Sequence, residues 1–136
     1  MDYDTSVPRD LFYTNDHIWV LIEDDTATIG ITDYGQGELN EIVYVDLSEI
    51  GTNVDRGTAF GTMEAMKTVA ELIAPVSGEV IEINDTLEAD PRLVNLDPYG
   101  EGWLIRVRWS DEDELEGLMT PQDYQVYVLG DVEDDM

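Results

Sequence analysis

The sequence predicts a small, mostly β domain, a sandwich or barrel to which short helices are added, mainly towards the C-terminus. Short segments rich in β-branched and aromatic residues recur along the chain, with turn-forming residues between them. Start signals for helices are concentrated after residue 109. The length of 136 residues fits one domain. We expect it over residues 11–130, preceded by a flexible arm over 1–10 and followed by an acidic tail over 131–136.

The first half of the chain contains three predicted strands and one short helix. Residues 18–22 are aromatic and β-branched, and the alternating segment 26–31 is their predicted return strand after an acidic turn. Two glycines within 33–40 leave room for only a short helix. A third strand is predicted over 42–46, before a segment rich in turn formers.

The second half contains two further strands and two helices. Strands are predicted over 78–84 and 103–109, and the segment between them holds two prolines and many turn residues. Ser110 is the predicted N-cap of a short acidic helix. Thr120, followed by a proline and by an acid at the third helical position, predicts a second helix that ends near residue 128.

The net charge of the chain limits the kinds of molecule that it is expected to bind. Six basic residues against 32 acidic ones give a formal net charge of −26. Such a surface repels phosphates and anionic lipid heads, so nucleic acid and membranes are not expected as partners. Self-repulsion at this charge density destabilises the fold unless salt screens it. The composition therefore suggests a halophile with a salty cytoplasm.

Composition also bears on the compartment. The chain has no cysteine, so disulfides and thiolate metal sites are excluded. It lacks a run of about 18 apolar residues, and its acidic start has neither the layout of a signal peptide nor that of a mitochondrial presequence. We expect a soluble, cytoplasmic protein.

Lys67 is the only lysine, and the five other basic residues are arginines. A lysine taken at random is a solvated surface charge. Lysine amines, however, are nucleophilic when deprotonated, whereas arginine stays protonated and cannot be acylated. A chain that otherwise uses arginine and keeps one lysine favours a role that needs an amine at Lys67.

The residues around Lys67 leave its local structure open. Residues 63–67 are strong helix formers, and the apolar positions of 60–73 fall near helical spacing. Glycines before this segment, the β-branched pair 68–69 and Pro75 oppose a helix. Composition alone does not decide between a helix and a turn.

Several segments then resemble one family. Glu-Ala-Met-Lys and the later Ala-Pro-Val-Ser-Gly-Glu-Val resemble the attachment segment of lipoyl and biotinyl carrier domains. Further segments resemble the H-protein family of the glycine cleavage system, in the same order and spacing from about residue 8 to residue 127. The segments that carry the resemblance are 15–20, 27–34, 42–47, 64–67, 74–80 and 93–104.

The resemblance implies a barrel-sandwich hybrid, or hammerhead, fold like that of lipoyl and biotinyl carriers. In it Lys67 lies on a hairpin turn between a strand that ends near Met63 and one that begins near Val69, which replaces the helix. Residues 11–130 would form the lipoyl-carrier domain. Lipoate would be bound covalently to Lys67, and Glu64 would belong to the attachment motif. No catalytic residue and no metal ligand are implied.

The same resemblance implies a non-catalytic carrier subunit of glycine catabolism and one-carbon metabolism. The lipoyl arm would carry the aminomethyl group of glycine between three partners: glycine decarboxylase (P protein), aminomethyltransferase (T protein) and dihydrolipoyl dehydrogenase (L protein). Lipoate-attaching enzymes are further expected partners. We expect the carrier to be a monomer.

The chain departs from the family pattern in two places, and other functions stay open. Ala65, Met66 and Thr68 stand around the lysine where the family commonly has serine, valine and alanine, and Ala-Met-Lys is typical of biotin carriers. The segment 35–40 is richer in glycine than usual. The alternatives are an H-like lipoyl protein of sulfur metabolism or lipoate relay, a biotin carrier, and an unmodified structural domain.

Other sites are weakly indicated. His17 is the sole histidine, so a Ser-His-Asp triad or a multi-histidine metal site cannot form. We expect His17 to make a hydrogen bond at the start of a strand. The acidic clusters at 24–25, 111–114 and 133–135 lack the spacing of a calcium loop, and solvated charge is the better interpretation.

Salt should stabilise this chain more than it stabilises an ordinary domain. Because added ions screen the repulsion among 32 acidic side chains, we expect the unfolding midpoint to rise between low and multimolar KCl. Thermal unfolding at a series of KCl concentrations measures this, with a domain of similar size and near-zero net charge as the control. A midpoint that stays constant would count against a salty cytoplasm.

Overall fold

Nine strands, four α-helices and one 3-10 helix form over residues 7–134, the part of the chain that the computed structural model describes, with side chains described for residues 7–130. The strands are β1 (Phe12–Tyr13), β2 (Ile18–Glu23), β3 (Thr26–Ile31), β4 (Ile42–Leu47), β5 (Asn53–Val54), β6 (Ala59–Ala65), β7 (Val69–Ile73), β8 (Gly78–Ile83) and β9 (Ile105–Trp109). The helices are α1 (Asp33–Leu39), α2 (Thr86–Ala89), α3 (Leu93–Leu96) and α4 (Pro121–Asp134), and the 3-10 helix spans Glu112–Gly117.

The strands form two antiparallel sheets. A six-stranded sheet has the order β1-β2-β3-β9-β8-β5, and a three-stranded sheet has the order β4-β6-β7. One hydrophobic core takes residues from both, including Ile29 and Val107 of the first sheet and Met63 and Leu72 of the second. The predicted mostly β class with late helices is therefore confirmed.

Side-chain caps explain where α1, α4 and the 3-10 helix begin. The Thr32 hydroxyl accepts a hydrogen bond from the N–H of Gly35 at 3.0 Å and starts α1. The Thr120 hydroxyl accepts from the N–H of Asp123 at 3.1 Å, as the sequence predicts for the start of α4. The acidic helix is capped by Asp111 instead of Ser110, and its tight turns are of the 3-10 type.

Several boundaries differ from the prediction. Helix α4 continues to Asp134, beyond the predicted end near residue 128. Strand β9 begins at Ile105 instead of residue 103, and Leu104 is fully buried in the core beside Ile105. The turn-rich segment 85–98 contains the single-turn helices α2 and α3.

A smaller aromatic cluster fastens α4 to the six-stranded sheet. The rings of Tyr13 and Tyr124 stack with centroids 4.7 Å apart, and both side chains are fully buried. The Tyr124 hydroxyl lies 2.7 Å from the Thr32 hydroxyl and 2.8 Å from Nδ1 of His17. The hydrogen bond predicted for His17 at the start of a strand is thus confirmed, and its role is to hold α4 against β2.

The chain ends are described in part. Residues 1–6 of the predicted arm lie outside the described residues, while Val7 packs against the aromatic cluster and the carbonyl of Pro8 accepts a hydrogen bond from Tyr13. In the predicted tail, the backbone of α4 continues to Asp134, and the side chains of 131–136 lie outside the described part. No helix within residues 7–134 is long and apolar enough to cross a bilayer.

Two glycines of α1 should respond oppositely to alanine. A Cβ at Gly37 would meet no atom within 4 Å, so Gly37→Ala should raise the free energy of unfolding by about 0.5–1 kcal/mol, because glycine weakens a helix interior. A Cβ at Gly35 would lie 2.7 Å from Cγ1 of Ile31 and 2.9 Å from Cβ of His17. Gly35→Ala should therefore lower the free energy of unfolding by about 1–3 kcal/mol. Denaturant unfolding of both variants tests this, and equal effects would contradict it.

The buried tyrosines should make the fold sensitive to alkali. Burial raises the pKa values of Tyr13, Tyr99 and Tyr124 above the usual 10.0, that of Tyr99 to about 12. The folded state keeps these protons where the unfolded chain loses them, so their stabilisation is complete below pH 10 and is lost as the pH rises from 10 towards 12.

Tyr13→Phe removes one such group, and its unfolding free energy should therefore fall less steeply above pH 10 than that of the parent. The difference in slope is at most about 1.4 kcal/mol per pH unit for one proton. Denaturant titrations at several alkaline pH values measure both slopes. Equal slopes in the two proteins would show that Tyr13 does not contribute to the loss of stability in alkali.

Candidate functional site

Lys67 lies at the tip of the hairpin formed by β6 and β7. The N–H of Ala65 donates to the carbonyl of Thr68 at 2.8 Å and closes the turn. Met66, Lys67 and Thr68 are all exposed, Met66 with 73% of its surface accessible. This is the hairpin position that the resemblance implies, although the first strand ends at Ala65 instead of Met63.

An irregularity in β6 explains why the helical spacing in the sequence is misleading. The register with β7 shifts between Ala59 and Gly61. This bulge allows Phe60 and Met63, which are three residues apart, both to point into the core, where both are fully buried. Beyond the bulge, Met63, Glu64 and Ala65 alternate between buried and exposed as in a regular strand. The helix favoured by local composition is therefore not formed.

Asn95 holds the strand beside the hairpin, a role that sequence reasoning did not find. Its Oδ1 accepts from the N–H of Ile42 at 2.9 Å. Its Nδ2 donates to Oε1 of Gln36 at 2.8 Å and to the carbonyl of Asn40 at 2.7 Å. Because Ile42 pairs with Ala65 in the sheet, Asn95 fixes the base of the turn. Only its place inside the resembling segment 93–104 marks it in the sequence.

The amine of Lys67 is available to a reagent or a partner. Lys67 takes part in none of the ion pairs found among residues 7–130, and neither does Glu64. Glu64 is exposed on the outer face of the hairpin, three residues before the lysine. The two side chains thus share the exposed end of the hairpin and form no ion pair within the described part of the chain, and an acyl group can reach the nitrogen from solvent.

Other candidate sites have structural explanations. Asp25 pairs with Arg108 at 3.8 Å, and Asp111 caps the 3-10 helix. The carboxylate of Glu114 accepts from the N–H and the hydroxyl of Ser77 at 2.6 and 2.7 Å. Over the described part of the chain, no group of three or more histidine, cysteine or acidic side chains is arranged to hold a metal ion.

Comparisons with known proteins agree on one family. The family model of the glycine cleavage H-protein matches residues 11–130. The glycine cleavage system H protein of Rubrobacter xylanophilus is 52% identical over 118 residues, covering 87% of this chain and 91% of that one. That of Thermus thermophilus is 47% identical over 119 residues, covering 88% and 93%.

A solved structure gives the same result for the fold. The crystal structure of a glycine cleavage system H protein from Mycobacterium marinum matches with a TM-score of 0.79 and 37% identity, covering 87% of this chain and 95% of that one. The overlap confirms the barrel-sandwich fold class.

Proposed function

The chain belongs to the glycine cleavage H-protein family, and we propose that it carries the aminomethyl group of glycine on a lipoyl group bound to Lys67. The observation that carries this proposal is the exposed amine of the only lysine, which forms no ion pair within residues 7–130 and lies at the tip of a hairpin within the matched residues. Lipoate, when bound there, would supply a disulfide that accepts the aminomethyl group and is later reoxidised.

The residues present fit an amide-linked group. Attachment turns the ammonium of Lys67 into a neutral amide, so it would break any ion pair that the lysine makes, and none is found among the described residues. The chain also contains no thiol that could exchange with a dithiol on the arm. Both features suit a sulfur-bearing cargo on Lys67.

The hairpin provides a stiff support for the arm. Met63 and Ala65 bury the end of β6 in the core, while the three residues of the turn stay outside it. A tethered group on such a support searches a small volume, so each partner meets it at high effective concentration. The protein would hold and present the arm, and the partners would perform the chemistry.

The role is therefore that of a non-catalytic carrier. The sole histidine contacts Tyr124 and fastens α4, which gives it a structural explanation. We infer that the monomer works in the cytoplasm with the decarboxylase, the aminomethyltransferase and the dihydrolipoyl dehydrogenase, and that a lipoate-attaching enzyme modifies Lys67.

The intact mass of protein isolated from its own organism tests the attachment. We expect one lipoyl group, with the mass increasing by a pair of hydrogens after reduction of its disulfide. A biotinyl adduct has a different mass and does not respond to reduction, so this measurement also separates the two cofactors. Protein without any adduct would overturn the proposal.

Lys67→Arg should keep the fold and lose the function. Because arginine cannot be acylated, the variant should carry no lipoyl group and support no glycine cleavage, while its unfolding midpoint stays at the parental value. Adding Arg108→Lys to this variant is the matched control, since it restores an exposed lysine on the six-stranded sheet, outside the hairpin. Activity in either variant, measured with the three partner enzymes, would show that Lys67 is dispensable.

A further inference from the structure

Exposed apolar side chains are concentrated around the tip that carries Lys67. Of the ten large hydrophobic side chains that are exposed among residues 7–130, four lie here: Val43 (44% exposed), Tyr44 (53%), Met66 (73%) and Val69 (59%). Exposed apolar side chains clustered on an otherwise strongly acidic surface are typical of an interaction site. The family's carrier role alone does not require it.

Strand pairing places these residues together. Tyr44 pairs with Glu64, and Glu64 pairs with Val69, so the three form one row across the outer face of the three-stranded sheet. Side chains in such a row have Cβ atoms about 4.5–5.5 Å apart. The register of β4 shifts at Val43, so Val43 and Tyr44 both face outward while Ile42 and Val45 face the core.

Carboxylates surround this row. Asp46 and Glu71 are the outer members of the next row, with Thr62 between them, and both are exposed. Neither they nor Glu64 are in an ion pair within the described residues. Lys67 is the only basic residue within strands β4, β6 and β7 and the turn between β6 and β7. Acylation, as proposed above, would leave carboxylates as the only charged side chains of these segments.

A shallow cleft extends the acidic border. It has a volume of about 260 Å³ and opens beside Tyr44 and Asp46. Asp85 and Glu88 line its far side, and both are exposed. The exposed side chains of Val43, Tyr44, Met66 and Val69, which we call the apolar row, are therefore divided by Glu64 and bordered by acids along the sheet and across this cleft.

We propose that this surface, which we call the tip face, docks a partner enzyme whose active-site mouth has an apolar centre and a rim of lysine or arginine. The residues of the tip face are Val43, Tyr44, Asp46, Glu64, Met66, Val69 and Glu71. The complementary charge of a basic rim favours the encounter, and the apolar centre covers the exposed row. A second copy of this chain is a poor occupant, since it would bring like charges together.

The two parts of the tip face respond differently to salt. The Debye length is about 3 Å at 1 M salt, so attraction between the carboxylates and a basic rim is then limited to direct contact. Salt does not screen the free energy gained by burying the apolar row. In a salty cytoplasm the apolar row would therefore hold the partner, while the carboxylates would select its orientation.

The glycine decarboxylase of the same organism is the clearest probe, because it meets the arm before any charged aminomethyl group is attached. The proposal rests on the proposed function, so each full-length variant is first shown by intact mass to be fully lipoylated. The acidic variant is Asp46→Asn with Glu71→Gln and, across the cleft, Glu88→Gln. The apolar variant is Tyr44→Thr with Val69→Thr.

Matched controls make the same number and kind of changes, acid to amide or apolar to threonine, elsewhere on the surface. Glu23→Gln with Glu112→Gln and Glu116→Gln removes three exposed acids outside the three-stranded sheet. Ile50→Thr with Val126→Thr removes two exposed apolar side chains, which are 61% and 70% accessible. The controls thus separate the position of a change from its effect on net charge or surface polarity.

We expect the acidic variant to raise the KM for the carrier about tenfold at about 0.1 M salt with kcat unchanged, and this effect to vanish near 1 M. The apolar variant should raise KM at both salt concentrations. Both controls should match the parent at each salt concentration.

Tip-face variants that match their controls, with lipoylated and active parent protein, would overturn the docking surface and leave the proposed function intact. A parent without lipoate would overturn both. If the parent protein sediments as a dimer and the tip-face variants do not, the tip face is a surface for self-association. That result would overturn the proposal of a partner enzyme.

Discussion

The position of Lys67 depends on the burial of Met63 and Ala65, which anchor the end of β6 in the core. Because side chains alternate along a strand, this burial turns Glu64 outward and leaves the turn with no core to enter. On the other side, the hydrogen bonds of Asn95 fix the start of β4, which pairs with Ala65. The amine is presented by a rigid support, so a partner does not have to order a loop at each encounter.

The acidic surface imposes a second constraint on this support. Two of the few cations are used within the six-stranded sheet, where Arg106 contacts Glu82 at 2.6 Å and Arg108 contacts Glu79 at 3.5 Å. Exposed pairs of this kind contribute about 0–1 kcal/mol each, and most carboxylates among residues 7–130 have no such partner. The fold therefore depends on its apolar core, and its surface charge governs which molecules approach.

Local patterns predicted much of the fold and part of the site. The alternation in 26–31 and the capping signal at Thr120 act over a few residues, and both elements form where expected. The segment 60–73 misled because a bulge, which depends on pairing between strands, gives two inward residues a helical spacing. Asn95 could not be assigned because its partners are 53 to 59 residues away in the sequence. The attachment role proposed for Lys67 rests on its uniqueness in the sequence and on the resemblance, not on periodicity.

The six-stranded sheet ends on both sides in strands of only two residues, β1 and β5. Beyond β1, the backbone of Tyr13 already exchanges hydrogen bonds with that of Met119. Neither edge of this sheet therefore offers a long row of unpaired backbone amides with which a strand of another chain could pair. When high salt screens the repulsion between molecules, these short edges would still prevent one molecule from adding to another through the six-stranded sheet.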